Sequence, residues 1–261
     1  MSPSRSPYVS AALGIAWRSL HNAFTKPALL IPAVIFPLFF LAAFAGGLSA
    51  ISHTPEFDYP EGYTTFIFGF VLLQASALGG VFTGFSIAAD FERGMGRRMM
   101  LASRHRTSII VGYAITAMVR VLVTWTIVTA VAVFIAGMSV GGSAADILGL
   151  YTLSLTVNVI ALLFACGIAL RLRTLQAGPL MQFPIFMLLF MSPVYVPQAL
   201  LVGWVSHVAA VNPITLVLNT NRDFLAGLPA EVLATYGVAL GLMALLSAWA
   251  VTGMRRAETA G

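Results

Sequence analysis

The chain has 261 residues, of which 59% are hydrophobic and only 9% charged, with a mean hydropathy of +0.92 and a formal net charge of +5. A soluble domain carries roughly 25% charged residues, so there is too little polar surface here to cover a water-exposed globule, and lipid must solvate most of the chain. Hydrocarbon admits only helices or closed barrels, because every backbone N–H and C=O needs an internal partner there. The apolar runs are unbroken and lack the short alternation of barrel strands. Composition therefore predicts an all-α polytopic membrane protein in one domain, 1–261. The positive charge fits loops facing anionic lipid better than a nucleic-acid partner.

Residues 1–27 come first. Val9, Leu13, Ala16, Leu20 and Phe24 recur at helical spacing, with Trp17, Arg18 and His21 near the edge of the stripe. This pattern reads as an amphipathic helix in the cytoplasmic interface, the alternative being a plain extension of the first span. A cleavable signal is not expected, since the strongly apolar run begins only after residue 27. Six apolar stretches follow, at 28–50, 64–88, 108–137, 147–170, 175–195 and 232–253. Each is near the ~20 residues needed to cross a bilayer core. The third is long enough to tilt, and Pro179, Pro184 and Pro193 interrupt the fifth. Gly80 and Gly84 in the second form a small-residue pair that lets another helix approach, as in a dimer seam. Ser154 and Asn158 in the fourth share one face, where they can bond to a neighbouring helix.

Twelve of the 14 basic residues lie on alternate loops: before the first span, between the second and third, between the fourth and fifth, and after the sixth. Positive charge is retained in the cytoplasm, so both termini are expected there, with the protein multi-pass in the cell membrane. The loop with Glu56, Asp58 and Glu61 is then outside. Arg120 lies within the third span. Either it is functional, as intramembrane charges often are, or it is shallow and snorkels to the interface.

The absent chemistry is informative. Lys26 is the only lysine and precedes Pro27, so the chain cannot carry the Gly-Lys-Ser/Thr of a phosphate-binding loop. Any work driven by ATP and Mg must use another subunit, and no cofactor is expected on this chain. His21, His53, His105 and His207 are scattered, with no metal-ligand spacing, and the single cysteine, Cys166, forms no disulfide framework. No convergent acid–base set can be assembled, so no catalytic site is expected.

Two segments say more. In the loop 89–107, Asp90, Glu92, Arg93 and Gly94 precede a short amphipathic turn. Met95, Met99 and Leu101 offer apolar knobs there, and Arg97 and Arg98 add charge. A short surface helix of this kind can insert into a partner's groove, whereas a solvated basic loop would only set topology. The segment 192–230 is too apolar for a free loop and too broken by Pro193, Pro197, Gly203 and Pro213 for a span. Broken backbone at membrane depth requires shielding by protein or a wet cavity. A re-entrant hairpin on the outer side satisfies that, and an outer-leaflet amphipathic loop is the alternative.

These segments resemble the ABC-2 type permeases, the membrane subunits of ABC exporters, and particularly their daunorubicin-resistance-like branch. Glu92, Arg93 and Gly94 match the turn after that family's second span. Ser192, Pro197, Trp204, Asn212, Pro213, Thr215, Arg222 and Gly227 match, in order, its pattern between the fifth and sixth spans. Pro193 stands where the family usually has glycine, and Arg104-His105-Arg106 replaces a common proline. The resemblance implies a pathway between two permease subunits, alike or related, each held by a nucleotide-binding ATPase subunit. It implies that Asp90, Glu92, Arg93, Gly94, Met95, Arg97, Arg98 and Met99 couple to the ATPase, and that the outer segment gates the exit. The apolar spans favour a drug or lipid cargo. The competing class is a channel or scaffold that uses no ATP.

Overall fold

The computed structural model describes residues 6–25, 30–103 and 105–259. Among them the fold is helical, with no strand. The α-helices are α1 (Pro7–Thr25), α2 (Leu30–Gly47), α3 (Gly62–Glu92), α4 (Met95–Ala102), α5 (Thr107–Phe134), α6 (Ala144–Leu172), α7 (Gly178–Phe190), α8 (Trp204–Val211), α9 (Pro213–Ala226) and α10 (Val232–Thr259). α3, α5, α6 and α10 are long and apolar enough to cross a bilayer, with mean hydropathies of 1.8, 2.0, 2.3 and 1.8 in their crossing windows. α2 and α7 are shorter apolar helices. The chain is a polytopic helical membrane protein, as its composition requires.

The fifth stretch is helical over less of its length than its hydropathy suggests. α7 has 13 residues, about 20 Å at 1.5 Å per residue, against a hydrocarbon core of about 30 Å. Its prolines explain both ends. Pro179 sits in the first turn, where no N–H is needed. The chain leaves the helix after Phe190, just before Ser192-Pro193, because a residue preceding proline is disfavoured in helical backbone.

α3 lies at the centre, and its whole crossing window is buried inside the protein. Phe68, Phe70, Leu72, Leu73 and Leu78 are all essentially inaccessible. α6 runs directly against it. A Cβ on Gly80 would collide with the backbone of Asn158 and Leu162, and one on Gly84 with Ala165. The small-residue pair therefore serves a seam within the chain. Polar ties reinforce it: Asn158 Nδ2 donates to the Ser76 carbonyl at 2.8 Å, and Trp125 Nε1 of α5 donates to Ser76 Oγ at 3.0 Å. Cys166 is buried in the same core as a free thiol.

α10 packs along α6. Arg171 stacks on Trp249 with its guanidinium carbon 3.5 Å from the ring centroid and donates to the Trp249 carbonyl at 3.1 Å. Arg173 donates to the Ala257 carbonyl at 3.0 Å. Carbonyls in the last turn of a helix lack intrahelical partners and attract cations, so Arg173 caps α10 from outside, while Arg171 holds the helix farther along.

α1 uses two faces. Ala12, Ile15, Ala16 and Ser19 are buried, and Gly112 of α5 leaves room for the Ala12 carbonyl and Ile15. Val9, Leu13 and Phe24 of the expected apolar stripe are exposed, and Trp17 is 75% exposed. Ile15 and small residues face the protein, and most of the other large apolar ones point away from it.

Gly80→Leu is expected to destabilise the detergent-solubilised protein by about 3 kcal/mol or more, since backbone rather than a yielding side chain blocks the site. Gly14→Ala in α1, where an added Cβ meets nothing within 4 Å, is expected to be neutral or slightly stabilising. Thermal unfolding of both variants checks the contrast.

Candidate functional site

Polar side chains gather at the two ends of the bundle. At the arginine-rich end, α3 stops at Glu92 and the chain turns through Gly94. Gly94 adopts φ +77°, left-handed backbone that glycine takes without strain. α4 follows at once. Helical spacing sorts its residues onto two faces. Gly96, Met99 and Met100 are buried, with Gly96 close against the Phe91 ring. Arg93, Arg97 and Arg98 are exposed, and Leu101 is 80% exposed.

This corrects the expectation that Met95 and Met99 project as knobs. Met95 packs on the core and Met99 lies within it, because both fall on the face that closes over α3. The outward apolar residue is Leu101.

Asp90, in the last turn of α3, also turns toward its own chain. Arg18 of α1 grips it with two bonds, Nη1 to Oδ1 at 3.1 Å and Nη2 to Oδ2 at 2.5 Å. The hydroxyl of Tyr113 in α5 donates to Oδ2, and the Met99 sulfur lies 3.5 Å from Arg18 Nη2. Hydrogen bonding by Asp90 raises the Arg18 guanidinium pKa above its ordinary value. Glu92 accepts from the Leu175 N–H at 3.0 Å and from Thr174 Oγ1 at 3.4 Å. One carboxylate thus holds α1 and α5, and the other holds the α6–α7 turn. Their role in the geometry is to fix where α4 emerges.

At the opposite end, Arg222 of α9 is the hub. It is 4% exposed. Nε donates to the Phe66 carbonyl at 3.2 Å, Nη1 to Pro193 at 2.8 Å and Nη2 to Val194 at 3.0 Å. Its guanidinium carbon lies 3.4 Å from the Phe66 ring centroid. A planar fork serving three carbonyls is a task lysine cannot perform. Tyr59 returns a bond to the Arg222 carbonyl at 2.8 Å, and burial pushes the Tyr59 phenol pKa up. Asn212 caps α9, accepting from the Ile214 N–H at 2.9 Å and donating to the Leu188 carbonyl of α7 at 2.7 Å. Pro213 takes the first helical position. Gly227 closes α9 at φ +68°, close against Gly141. Ser192 donates to the Leu189 carbonyl at 2.5 Å.

The structure therefore draws Ser192, Pro193, Asn212, Pro213, Arg222 and Gly227 into one assembly fastening the α8–α9 pair to α3 and α7. Pro197 and Thr215 line a cavity beside it. Trp204 is not brought in; it opens α8 and is 66% exposed. Sequence reasoning missed Arg18, Tyr113, Tyr59 and Phe66, whose partners lie far away in sequence. Arg120, for which the sequence left two readings open, is enclosed by protein at 2% exposure.

Four long apolar helices and two shorter ones define a polytopic membrane protein. The ABC-2 type transporter family matches residues 11–226, most of the chain, and the protein belongs to that family. It is similar to the daunorubicin resistance ABC transporter permease protein DrrB1 of Streptomyces coeruleorubidus, 24% identical over 86% of this chain and 78% of that one. It also resembles the putative transport permeases ycf38 of Pyropia yezoensis and Porphyra purpurea, each 25% identical over 78% of this chain and 70% of theirs.

Two outcomes check these clusters. A double-mutant cycle with Arg18→Gln and Asp90→Asn should give a coupling of about 1–2 kcal/mol in thermal unfolding, as expected for a part-buried, two-pronged ion pair. Arg222→Lys should destabilise the protein by about 2–4 kcal/mol, because buried carbonyls lose their donors.

Proposed function

We propose that this chain is the permease subunit of an ATP-driven exporter in the cell membrane, with both termini in the cytoplasm. A separate nucleotide-binding subunit supplies ATP, Mg and hydrolysis, and a second permease subunit, identical or related, completes the pathway. Its cargo is a hydrophobic or amphipathic compound. Family membership and the drug-resistance relative support this reading.

The observation that carries the coupling role is the two-faced α4. Its inner face is locked to α3, while Arg97, Arg98 and Leu101 face outward, with the exposed Arg93 just before the helix. A rigid helix offering a charged face with one apolar knob is suited to a groove on a soluble partner. ATP can bias the permease only through a contact whose strength differs between its states. Because Asp90 and Glu92 anchor α4 to α1, α5 and the α6–α7 turn, a push on α4 reaches several helices together.

The exposed Trp17, Leu13 and Phe24 of α1 suit a helix lying in the cytoplasmic interface. The α8–α9 pair, pinned by Arg222, acts as a re-entrant outer gate. Its polar backbone groups at the Asn212 break are satisfied within the protein, as membrane depth requires.

Arg97→Glu with Arg98→Glu should abolish ATP-driven efflux in vesicles while leaving membrane insertion intact. Leu101→Asp should lower co-purification of the ATPase about tenfold, the scale of losing one buried apolar anchor. Full transport by the charge-reversed protein would defeat the coupling role. A native complex with no ATPase would favour a channel or scaffold.

A further inference from the structure

A cavity of about 550 Å³ opens beside the Arg222 assembly, between α9, the turn before α8 and the loop before α3. Its wall contains three carboxylates, Asp58, Asp223 and Glu231, and one cation, Arg222. The Arg222 N–H groups are committed to the carbonyls of Phe66, Pro193 and Val194. Its positive charge remains, but three carboxylates outnumber it in the lining, so the balance facing a ligand is negative. Burial, and after it the charge of Glu231, raise the Asp223 pKa above its ordinary value, and a cation beside the two carboxylates favours their charged forms.

Thr215 supplies a second, independent observation. It lines the same cavity and is 4% exposed, yet its Oγ1 has no hydrogen-bond partner among the described residues. A buried hydroxyl left unpaired costs about 1–3 kcal/mol, and a ligand N–H entering the cavity would recover that. Among the described residues no three histidine, cysteine or carboxylate side chains converge to hold a metal ion. Spread carboxylates in a space this large suit a bulky cation better than a compact ion. Tyr59 adds an aromatic ring to the same wall, the Phe66 ring beside it being already covered by Arg222. Positive charge on an apolar body is attracted to both kinds of lining.

We infer that this cavity binds an organic cation, a protonated amine or quaternary centre on an apolar or aromatic body. Asp223 and Glu231 hold its charge, and Thr215 accepts a hydrogen bond where the ligand has an N–H. The inference deepens the exporter reading, on which it rests only for placing the cavity on the exit path; binding itself requires no ATPase.

The test uses the full chain in lipid nanodiscs, with tetraphenylphosphonium as probe and tetraphenylborate as its anionic counterpart. Calorimetry should show saturable binding of the phosphonium only. Asp223→Asn with Glu231→Gln should weaken it about tenfold, the scale of losing a charge-assisted contact. Asp58→Asn, in an exposed loop where folding is not at risk, should weaken it about threefold through reduced local charge. Equal binding of cation and anion, or unchanged phosphonium binding in these variants, overturns the inference. ATPase co-purification, measured on the same preparations, reports the exporter reading separately. A chain that recruits the ATPase but binds no phosphonium loses only the cavity assignment, and one that binds phosphonium without an ATPase keeps it.

Discussion

α3 can stand inside the protein because α6 comes against it over Gly79, Gly80 and Gly84. Lipid chains are as apolar as leucine, so hydrophobicity alone does not drive two helices together within a bilayer. Close backbone approach and interhelical hydrogen bonds must do so. The glycines supply the approach, and Asn158, Ser76 and Trp125 supply the bonds. With α3 fixed at the centre, α2, α5, α7 and α9 have a common surface to pack on. Without that seam its fully buried face would have no partner.

The same helix links the two polar ends. Near its start, the Phe66 carbonyl and ring receive Arg222. At its finish, Asp90 and Glu92 receive Arg18, Tyr113 and the Leu175 N–H. α3 spans 31 residues, about 46 Å of helix, held between those points by tight packing and by the bonds at Ser76. Under the exporter reading this makes α3 the mechanical link between motor and gate. Close-packed interiors transmit displacement rather than absorb it.

Much of the candidate site was legible in the sequence, but not how its residues face. The short helix after Gly94 and the break at Pro213 were readable, because turns and proline breaks depend on a few adjacent residues. Asp90 and Glu92 stood out as acids beside a basic loop, yet their partners lie on α1, α5 and the α6–α7 turn, beyond local pattern. Met99 and Leu101 differ by two positions on α4, and a spacing argument without a neighbour to pack against could not say which faced the core. Gly80 and Gly84 announced a close helix approach but not whether the approaching helix came from the same chain.

The sequence by itself determined the solvent, the helical class and the ends of the bundle. Charge scarcity, apolar run length and arginine placement are summed properties that do not depend on how helices meet. Only the tertiary structure decided that α7 falls short of its hydropathic stretch, that Arg120 is enclosed by protein, and that Arg222 clamps three carbonyls. Each of these depends on which backbone groups arrive at one point in space. In a chain with so few polar side chains, those meeting points carry nearly all the specificity.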